Sequence, residues 1–394
     1  MIKNNNMFAK LNKLPLLAKV LIAIVLGIGC SFFFPEFLNR IFVTINGIFG
    51  NFLGFTIPLI ILGLVAPGIA ELGNGAGKLL AITAAIAYGS TLFAGFFSYF
   101  SCELTFPWIL DSSASLGDNI AQANKVLPYF SVEMPPVLSV TTALILAFVV
   151  GLGLCYVKGG KLLGGLLEFR ELINKVISGV IIPLLPLYIF GIFLQIGAEG
   201  QAGAIMKLFI KVIAVIFVLH VTLLLIQFII AGAIAKKNPF KALFTMLPAY
   251  VTALGTQSSA ATIPVTLRQA IKNGVDEKLA GFTVPLCATI HLAGSTLKIV
   301  ACALAILWMQ GMPHGLDIFA GFICMLGITM VAAPGVPGGA IMAALGLLSS
   351  MLGFNEDLQG LMIALYIAMD TFGTACNVTG DGAIALVVNK IYKK

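Results

Sequence analysis

The chain has 394 residues, of which 59% are hydrophobic and 10% are charged. Soluble proteins are about 45–50% apolar and about 25% charged, so this composition excludes a water-soluble globule. A mean hydropathy of +1.05 instead indicates an all-α polytopic membrane protein, because each helical crossing needs roughly 20 apolar residues. No small-residue cleavage site precedes the first apolar stretch, so we expect no removable signal peptide.

The basic residues indicate topology rather than a nucleic-acid partner. The net charge is +7, but Lys and Arg fall mostly in short loops and form no contiguous patch. The first six apolar stretches are residues 16–34, 41–70, 78–106, 135–156, 170–197 and 203–234. Lysines precede the first stretch and follow the second, fourth and sixth, which predicts that those loops are cytoplasmic. The remaining loops are predicted to be external.

The second half contains two segments that cannot be plain spanning helices. Residues 242–267 are small and polar at their centre and have basic flanks on both sides. Residues 318–354 are interrupted by AAPGVPGG and lack basic flanks. Irregular backbone is tolerated at membrane depth only beside protein or water, so we predict two opposed re-entrant helical hairpins. With spans at 282–310 and 358–391, this predicts eight transmembrane helices and places both termini in the cytoplasm.

Ionisable residues on the last two spans predict a buried site, because each charge inside a bilayer costs about 2.5–3.5 kcal/mol on insertion scales. The polar positions are His291, Ser295 and Lys298 on one helical face, and Asp370, Thr374, Asn377 and Asp381 on another. Because the two helices run in opposite directions, we predict that Lys298 pairs with Asp370 and His291 with Asp381. Residues 377–381 offer oxygen ligands suited to sodium, more so if locally unwound. Two purely structural bridges remain an alternative.

Four motifs resemble those of the dicarboxylate/amino acid:cation symporter family, which includes the glutamate-transporter homologues. They are SSAATIPVT at 258–266, PLCATIHLAGS at 285–295, PGVPGG at 334–339 and NVTGD at 377–381. Their order and spacing match the family, so the chain is identified as a member. The resemblance implies a glutamate-transporter-like elevator fold, a homotrimer in the lipid bilayer, and a bacterial-type inner membrane.

The resemblance also implies two kinds of domain. The scaffold comprises helices 1 and 2 (1–77), helix 4 (135–170) and helix 5 (171–200). The transport domain comprises helix 3 with the external loop (78–134), helix 6 (201–237) and everything from 238 to 394. That last region holds the first hairpin (242–267), helix 7, the second hairpin (318–354) and helix 8.

Site residues are carried over from the matching motif positions. The substrate-binding positions are Gln257, Ser258, Ser259, Val336, Gly338, Asp370, Gly373, Thr374 and Asn377. In the family, Asp370 matches the acid that holds the substrate's amino group, and Asn377 matches a group that holds its carboxylate. The sodium positions are Asn377 and Asp381 at one site, and Thr289 with the backbone of Ala332 and Ala333 at another. Ser90 and Thr91 match a Thr-Ser pair on the third helix of the family, which contributes to a further site.

Departures from the family pattern bear on the substrate. Gly373 stands where acidic-substrate members place an Arg, and Gln257 replaces another Arg. Arg is the side chain that binds a carboxylate bidentately, so we expect a small neutral amino acid such as serine, threonine or alanine. An acidic amino acid or dicarboxylate, with Lys298 as its counter-charge, remains the alternative, as does an amino-acid exchanger.

Other departures bear on coupling. Ala293 replaces the Asp of the family's seventh-helix motif, so we expect fewer sodium ions than in the family archetype. His291 replaces an Asn and introduces a titratable side chain, so a proton is a second candidate for the coupled ion. Ser295 and Lys298 are further candidates for coupling residues. We do not expect an enzyme. Ser258, Ser259 and His291 are the sole candidates for a nucleophile and base, and the serines are already explained by the exposed backbone of a hairpin tip. No channel filter is recognisable either.

Overall fold

The computed structural model describes residues 14–73, 78–110, 126–157, 160–200, 202–333 and 337–392. All regular secondary structure within these ranges is helical. The helices of the first half are α1 Leu16–Ser31, α2 Glu36–Gly73, α3 Lys78–Ile109, α4 Val140–Tyr156, α5 Gly160–Val176, α6 Ile182–Ala198 and α7 Ala202–Ala235. A π-helical turn, Ile177–Ile181, joins α5 to α6.

Three helix starts in the first half differ from the predicted spans by five residues or more. Helix α2 begins at Glu36, although its span was predicted from residue 41. The span predicted from residue 135 begins at Val140, because Ser139 accepts a hydrogen bond from the Thr142 amide and caps α4. The span predicted from residue 170 begins at Gly160. Charged residues recur along α5, so its mean hydropathy is too low for it to be recognised as part of a span. In the structure this amphipathic helix is continuous with α6.

The second half consists of shorter helices. They are α8 Pro239–Thr256, α9 Ser259–Lys272, α10 Glu277–Ile290, α11 Ala293–Met309, α12 Leu316–Val331, α13 Gly339–Leu352, α14 Glu356–Ala368 and α15 Asp370–Tyr392. Helices α8 and α9 pack against each other, as do α12 and α13. The breaks between these partners fall where small, polar, Gly and Pro residues predicted hairpin tips.

The expectation that residues 282–310 and 358–391 form continuous helices is wrong. The first segment is interrupted at His291, whose backbone is extended (φ −107°, ψ 95°), and at Leu292. The second bends by 61° between α14 and α15, at Met369. His291 therefore does not share a helical face with Lys298. The motif 377–381 is not unwound, since it lies within α15.

Several helices have the length and composition to cross a membrane. Five stretches of the described residues qualify, or six when α14 and α15 count as one bent span. The five are Glu36–Ala70, Lys78–Ile109, Gly160–Ala198, Ile205–Ala235 and Glu277–Met309. Shorter apolar helices include α1, α12 and α13. This is the pattern of a multi-pass membrane protein.

Helix α15 lies at the centre of the second half. It contacts α7, α8, α9, α10 and α11, and most of its residues between Asp370 and Val388 are buried. Every residue of α11 except Trp308 is buried as well. Most polar side chains on these two helices pair inside the protein, as expected because a buried unpaired polar group is costly. The hydroxyls of Thr296 and Thr379 are exceptions, with no hydrogen-bond partner among the described residues.

Candidate functional site

The first turn of α15 is where the two helix-pair tips meet. At the α8–α9 tip, Gln257 adopts a left-handed conformation (φ 53°), and its Nε2 donates a hydrogen bond to Thr371 Oγ1 at 3.1 Å. At the α12–α13 tip, Gly338 has φ 74°, and its amide donates to Asp370 Oδ2 at 2.8 Å. A non-glycine residue held at positive φ is strained, and such strain clusters at functional sites.

The predicted pairing of Lys298 with Asp370 is confirmed. The Lys298 ammonium lies 2.8 Å from Asp370 Oδ1, and the lysine side chain has no exposed surface. The ammonium also lies 3.4 Å from the centre of the Tyr366 ring, a cation–π contact. Tyr366 in turn donates a hydrogen bond to Ser295 Oγ at 3.3 Å. Asp370 thus uses one oxygen for Lys298 and the other for Gly338.

Gly373 makes room for the lysine. A Cβ added at this position would lie 2.8 Å from Lys298 Nζ and 3.0 Å from its Cε. The ammonium therefore occupies the space next to α15 that any other residue at position 373 would fill. The sequence indicated that Gly373 removes a charge from the site, and the structure adds that a lysine from α11 uses the vacated space.

Asn377 caps helix α11 from across the bundle. Its Oδ1 accepts hydrogen bonds from the amides of Gly294 at 2.8 Å and Ser295 at 3.3 Å. Its Nδ2 donates to Ser295 Oγ at 3.1 Å. The N-cap residue of α11, Leu292, has no side-chain cap of its own, so Asn377 satisfies amides that would otherwise be unpaired. Both ends of this amide are engaged within the protein.

The predicted pairing of His291 with Asp381 is also confirmed. His291 Nδ1 lies 2.9 Å from Asp381 Oδ1, and both side chains are buried. On its other side, His291 Nε2 lies 3.1 Å from Ser90 Oγ, which also accepts a bond from Gln227 Nε2 at 3.0 Å. A continuous polar chain therefore runs from α15 to α3 and α7, and it engages Asp381 Oδ1, an oxygen expected to bind sodium.

The remaining substrate-binding candidates lie around the tips. Ser258 caps α9 by accepting a hydrogen bond from the Ala261 amide at 3.3 Å. Its side chain therefore has a structural role in addition to the predicted role in substrate binding. Ser259 and Thr374 are buried. Val336 lies outside the described residues.

The other sodium candidates are dispersed. Thr289 is exposed, and its hydroxyl donates to the Leu286 carbonyl at 2.7 Å. Thr91 donates to the Ala87 carbonyl of its own helix at 2.9 Å and does not join the chain through Ser90. Ala333 is buried, while Ala332 lines a largely apolar cavity of about 330 Å³. Within the described ranges, no cluster of three or more His, Cys, Asp or Glu could hold a metal ion.

Sequence reasoning missed three polar residues of the site. His220 is buried and its Nε2 lies 3.0 Å from the Gly294 carbonyl oxygen. Gln227 bonds to Ser90. These two are seven residues apart on the largely apolar α7, a spacing that places them on one helical face and could have revealed them. Tyr366 carried no such signal, because its contact with Lys298 depends on the bend before α15.

We expect that Gly373→Ala destabilises the protein by about 1–3 kcal/mol, because the added methyl group overpacks the site and pushes Lys298 away from Asp370. The midpoint of thermal unfolding in detergent should fall. Gly164→Ala is the matched control, since nothing lies within 4 Å of a Cβ at that helical position. An equal effect in the two variants would contradict the packing argument.

We expect that Asn377→Ala costs about 1–3 kcal/mol of stability, because it leaves the amides of Gly294 and Ser295 without their acceptor. The same thermal measurement applies. Asn174→Ala, at a half-buried position on α5, serves as the comparison. Unchanged stability of Asn377→Ala would mean that Asn377 is not needed to begin α11.

Comparison with known proteins identifies the family. Residues 16–391 match the model of the sodium:dicarboxylate symporter family. The chain is similar to serine/threonine transporter SstT of Acinetobacter baylyi, at 28% identity over 406 residues, covering 98% of this chain and 100% of that protein. The protein of the same name from Acinetobacter baumannii strain AYE is 26% identical over 392 residues, or 94% and 95% of the two chains.

A mammalian relative matches a shorter region. Excitatory amino acid transporter 3 of Mus musculus is 37% identical over 166 residues, which cover 41% of this chain and 31% of that protein. These relatives are transporters rather than enzymes. The match over nearly the whole chain confirms the resemblance found in the motifs, and the chain belongs to the sodium:dicarboxylate symporter family.

Proposed function

We propose that this protein is a secondary active symporter that couples sodium to the uptake of a small neutral amino acid of the serine, threonine or alanine type. The family implies the sodium coupling, and relatives named serine/threonine transporters align over nearly the full length. The observation that carries the substrate class is charge balance. Lys298 is paired with Asp370 and Gly373 has no side chain, so these positions provide no uncompensated cation for an additional carboxylate.

The proposed architecture has eight spans and two opposed re-entrant hairpins, α8–α9 and α12–α13. Their helices have 18, 14, 16 and 14 residues, which corresponds to about 21–27 Å at 1.5 Å per residue. Each is shorter than the roughly 30 Å hydrocarbon core of a bilayer. The contacts of Gln257 and Gly338 with the first turn of α15 support a placement of both tips at one depth.

The proposed mechanism is elevator-type alternating access, in which a transport domain moves against a scaffold. Packing supports that division, because α1 packs mainly with α6 and α2 with α4, whereas α3 packs with α11 and α15 with α7 and α8. We propose the domain boundaries stated from the sequence, a homotrimer, and insertion in a bacterial inner membrane with both termini cytoplasmic. These proposals rest on membership of the family.

We propose that fewer sodium ions are coupled than in the family archetype. Ala293 offers no carboxylate, and Asp381 Oδ1 is bonded to His291. Thr289 and the backbone near Ala332 and Ala333 remain the candidates for a second sodium site. His291, which joins Asp381 to Ser90, is the candidate carrier of a proton.

Transport into proteoliposomes tests the coupling. Accumulation of labelled serine should rise about tenfold for each coupled ion under a tenfold inward sodium gradient, because every ~1.4 kcal/mol corresponds to a factor of ten. Unlabelled threonine and alanine should compete, whereas aspartate and succinate should not. Serine uptake that ignores the sodium gradient would contradict sodium coupling. Competition by aspartate or succinate alone would favour an acidic substrate, and uptake only against internal serine would identify an exchanger.

A proton gradient applied at equal sodium concentrations tests the role of His291. If the imidazole carries a proton, the wild type should respond to this gradient and His291→Gln should lose most of that response. His314→Gln is the control, since His314 lies in the loop before α12 and contacts Trp308. A wild-type protein whose uptake ignores the proton gradient would contradict proton coupling and leave sodium as the coupled ion.

A further inference from the structure

The ion pair between Lys298 and Asp370 carries an inference that rests on the proposed function and deepens it. We propose that this pair is the recognition element for the substrate, and that a zwitterion enters by opening it. The substrate's ammonium takes the place of Lys298 on Asp370, and its carboxylate takes the place of Asp370 on Lys298. Lys298 thereby becomes the residue that binds the carboxylate.

The position of the pair supports this assignment. Asp370 is 6% exposed and lies at the bend between α14 and α15, one residue from Thr371, where Gln257 of the other tip bonds. Its Oδ2 accepts the Gly338 amide. The α11 cap is made separately by Asn377, so an exchange of partners at Asp370 leaves that cap in place.

Charge balance explains why the ligand would be a zwitterion. The buried pair is neutral, and a single buried charge without a partner is strongly unfavourable. A hydroxy acid could pair with Lys298 but would leave Asp370 alone, whereas an amine could pair with Asp370 but would leave Lys298 alone. A zwitterion leaves neither charge unpaired. Because the two charges of the pair are 2.8 Å apart, charges borne on adjacent groups, as in an α-amino acid, fit best.

The surroundings of the lysine favour an exchange of partners. The Tyr366 ring lies 3.4 Å from the ammonium and can hold it while the carboxylate in front of it changes. The absence of a side chain at Gly373 leaves the lysine stem free of steric contact there. Asn377 is less suited to receive the carboxylate, because both ends of its side-chain amide already bond to the start of α11.

Three ligands that differ mainly in charge test the proposal: serine, its anionic analogue glycerate, and its cationic analogue serine amide. Binding to the purified full-length protein in sodium chloride is measured by titration calorimetry. The wild type should bind serine at least about tenfold more tightly than either analogue, a difference of ~1.4 kcal/mol. Lys298→Met should shift the preference towards serine amide, and Asp370→Asn towards glycerate. The double variant K298M/D370N should prefer neither charged analogue.

Lys207→Met is the matched control, because Lys207 is exposed on α7. It should keep the wild-type order of preference. If the two single variants weaken all three ligands equally, the pair is structural and the proposal is overturned. If they do not fold, the wild type alone still decides, because binding of glycerate or serine amide as tightly as serine also overturns it.

The outcomes separate this proposal from the proposed function. A wild type that binds serine but does not transport it in response to sodium, combined with opposite shifts in the two variants, would leave the pair as the recognition element and refute the proposed function. Sodium-driven serine uptake without opposite shifts would support the function and refute the role of Lys298.

Discussion

The other features of the site depend on the two contacts made by the carboxylate of Asp370. One oxygen accepts the Lys298 ammonium and the other accepts the Gly338 amide, so a single side chain ties α11 and the α12–α13 tip to the start of α15. Its burial makes each contact necessary, because a carboxylate removed from water without partners is strongly destabilised. The space at Gly373 and the ring of Tyr366 complete the surroundings of the lysine ammonium.

A second polar centre, deeper along α15, follows the same physical rule. The interruption between α10 and α11 exposes backbone amides inside the protein, and Asn377 supplies their acceptor. At the same interruption, His291 turns towards Asp381 and Ser90. The break before α11 and the break before α13 therefore each coincide with a polar residue of α15 that accepts from an exposed amide, Asn377 in the first case and Asp370 in the second. Broken helices near the bilayer midplane are where transporters generally place their binding sites.

The pairing of Lys298 distinguishes this site from one with an unpaired arginine. A guanidinium without an internal partner would attract a second carboxylate, whereas a lysine already bound to Asp370 offers no net charge to one. The charge balance of Lys298 and Asp370, with no side chain at Gly373, is the observation behind the proposal of a neutral substrate.

The sequence by itself determined the membrane class, the family motifs, the two interrupted segments at 242–267 and 318–354, and the pairing of Lys298 with Asp370 and of His291 with Asp381. Those features depend on composition, on residues that cannot continue a helix, and on the cost of charge in lipid. Only the tertiary structure decided the capping role of Asn377 and the use of Gly373 as space for a lysine. It also decided the breaks at His291 and Met369, since neither position is a Gly or a Pro. These depend on which atoms of other helices arrive at each position, and neither periodicity nor hydropathy contains that information.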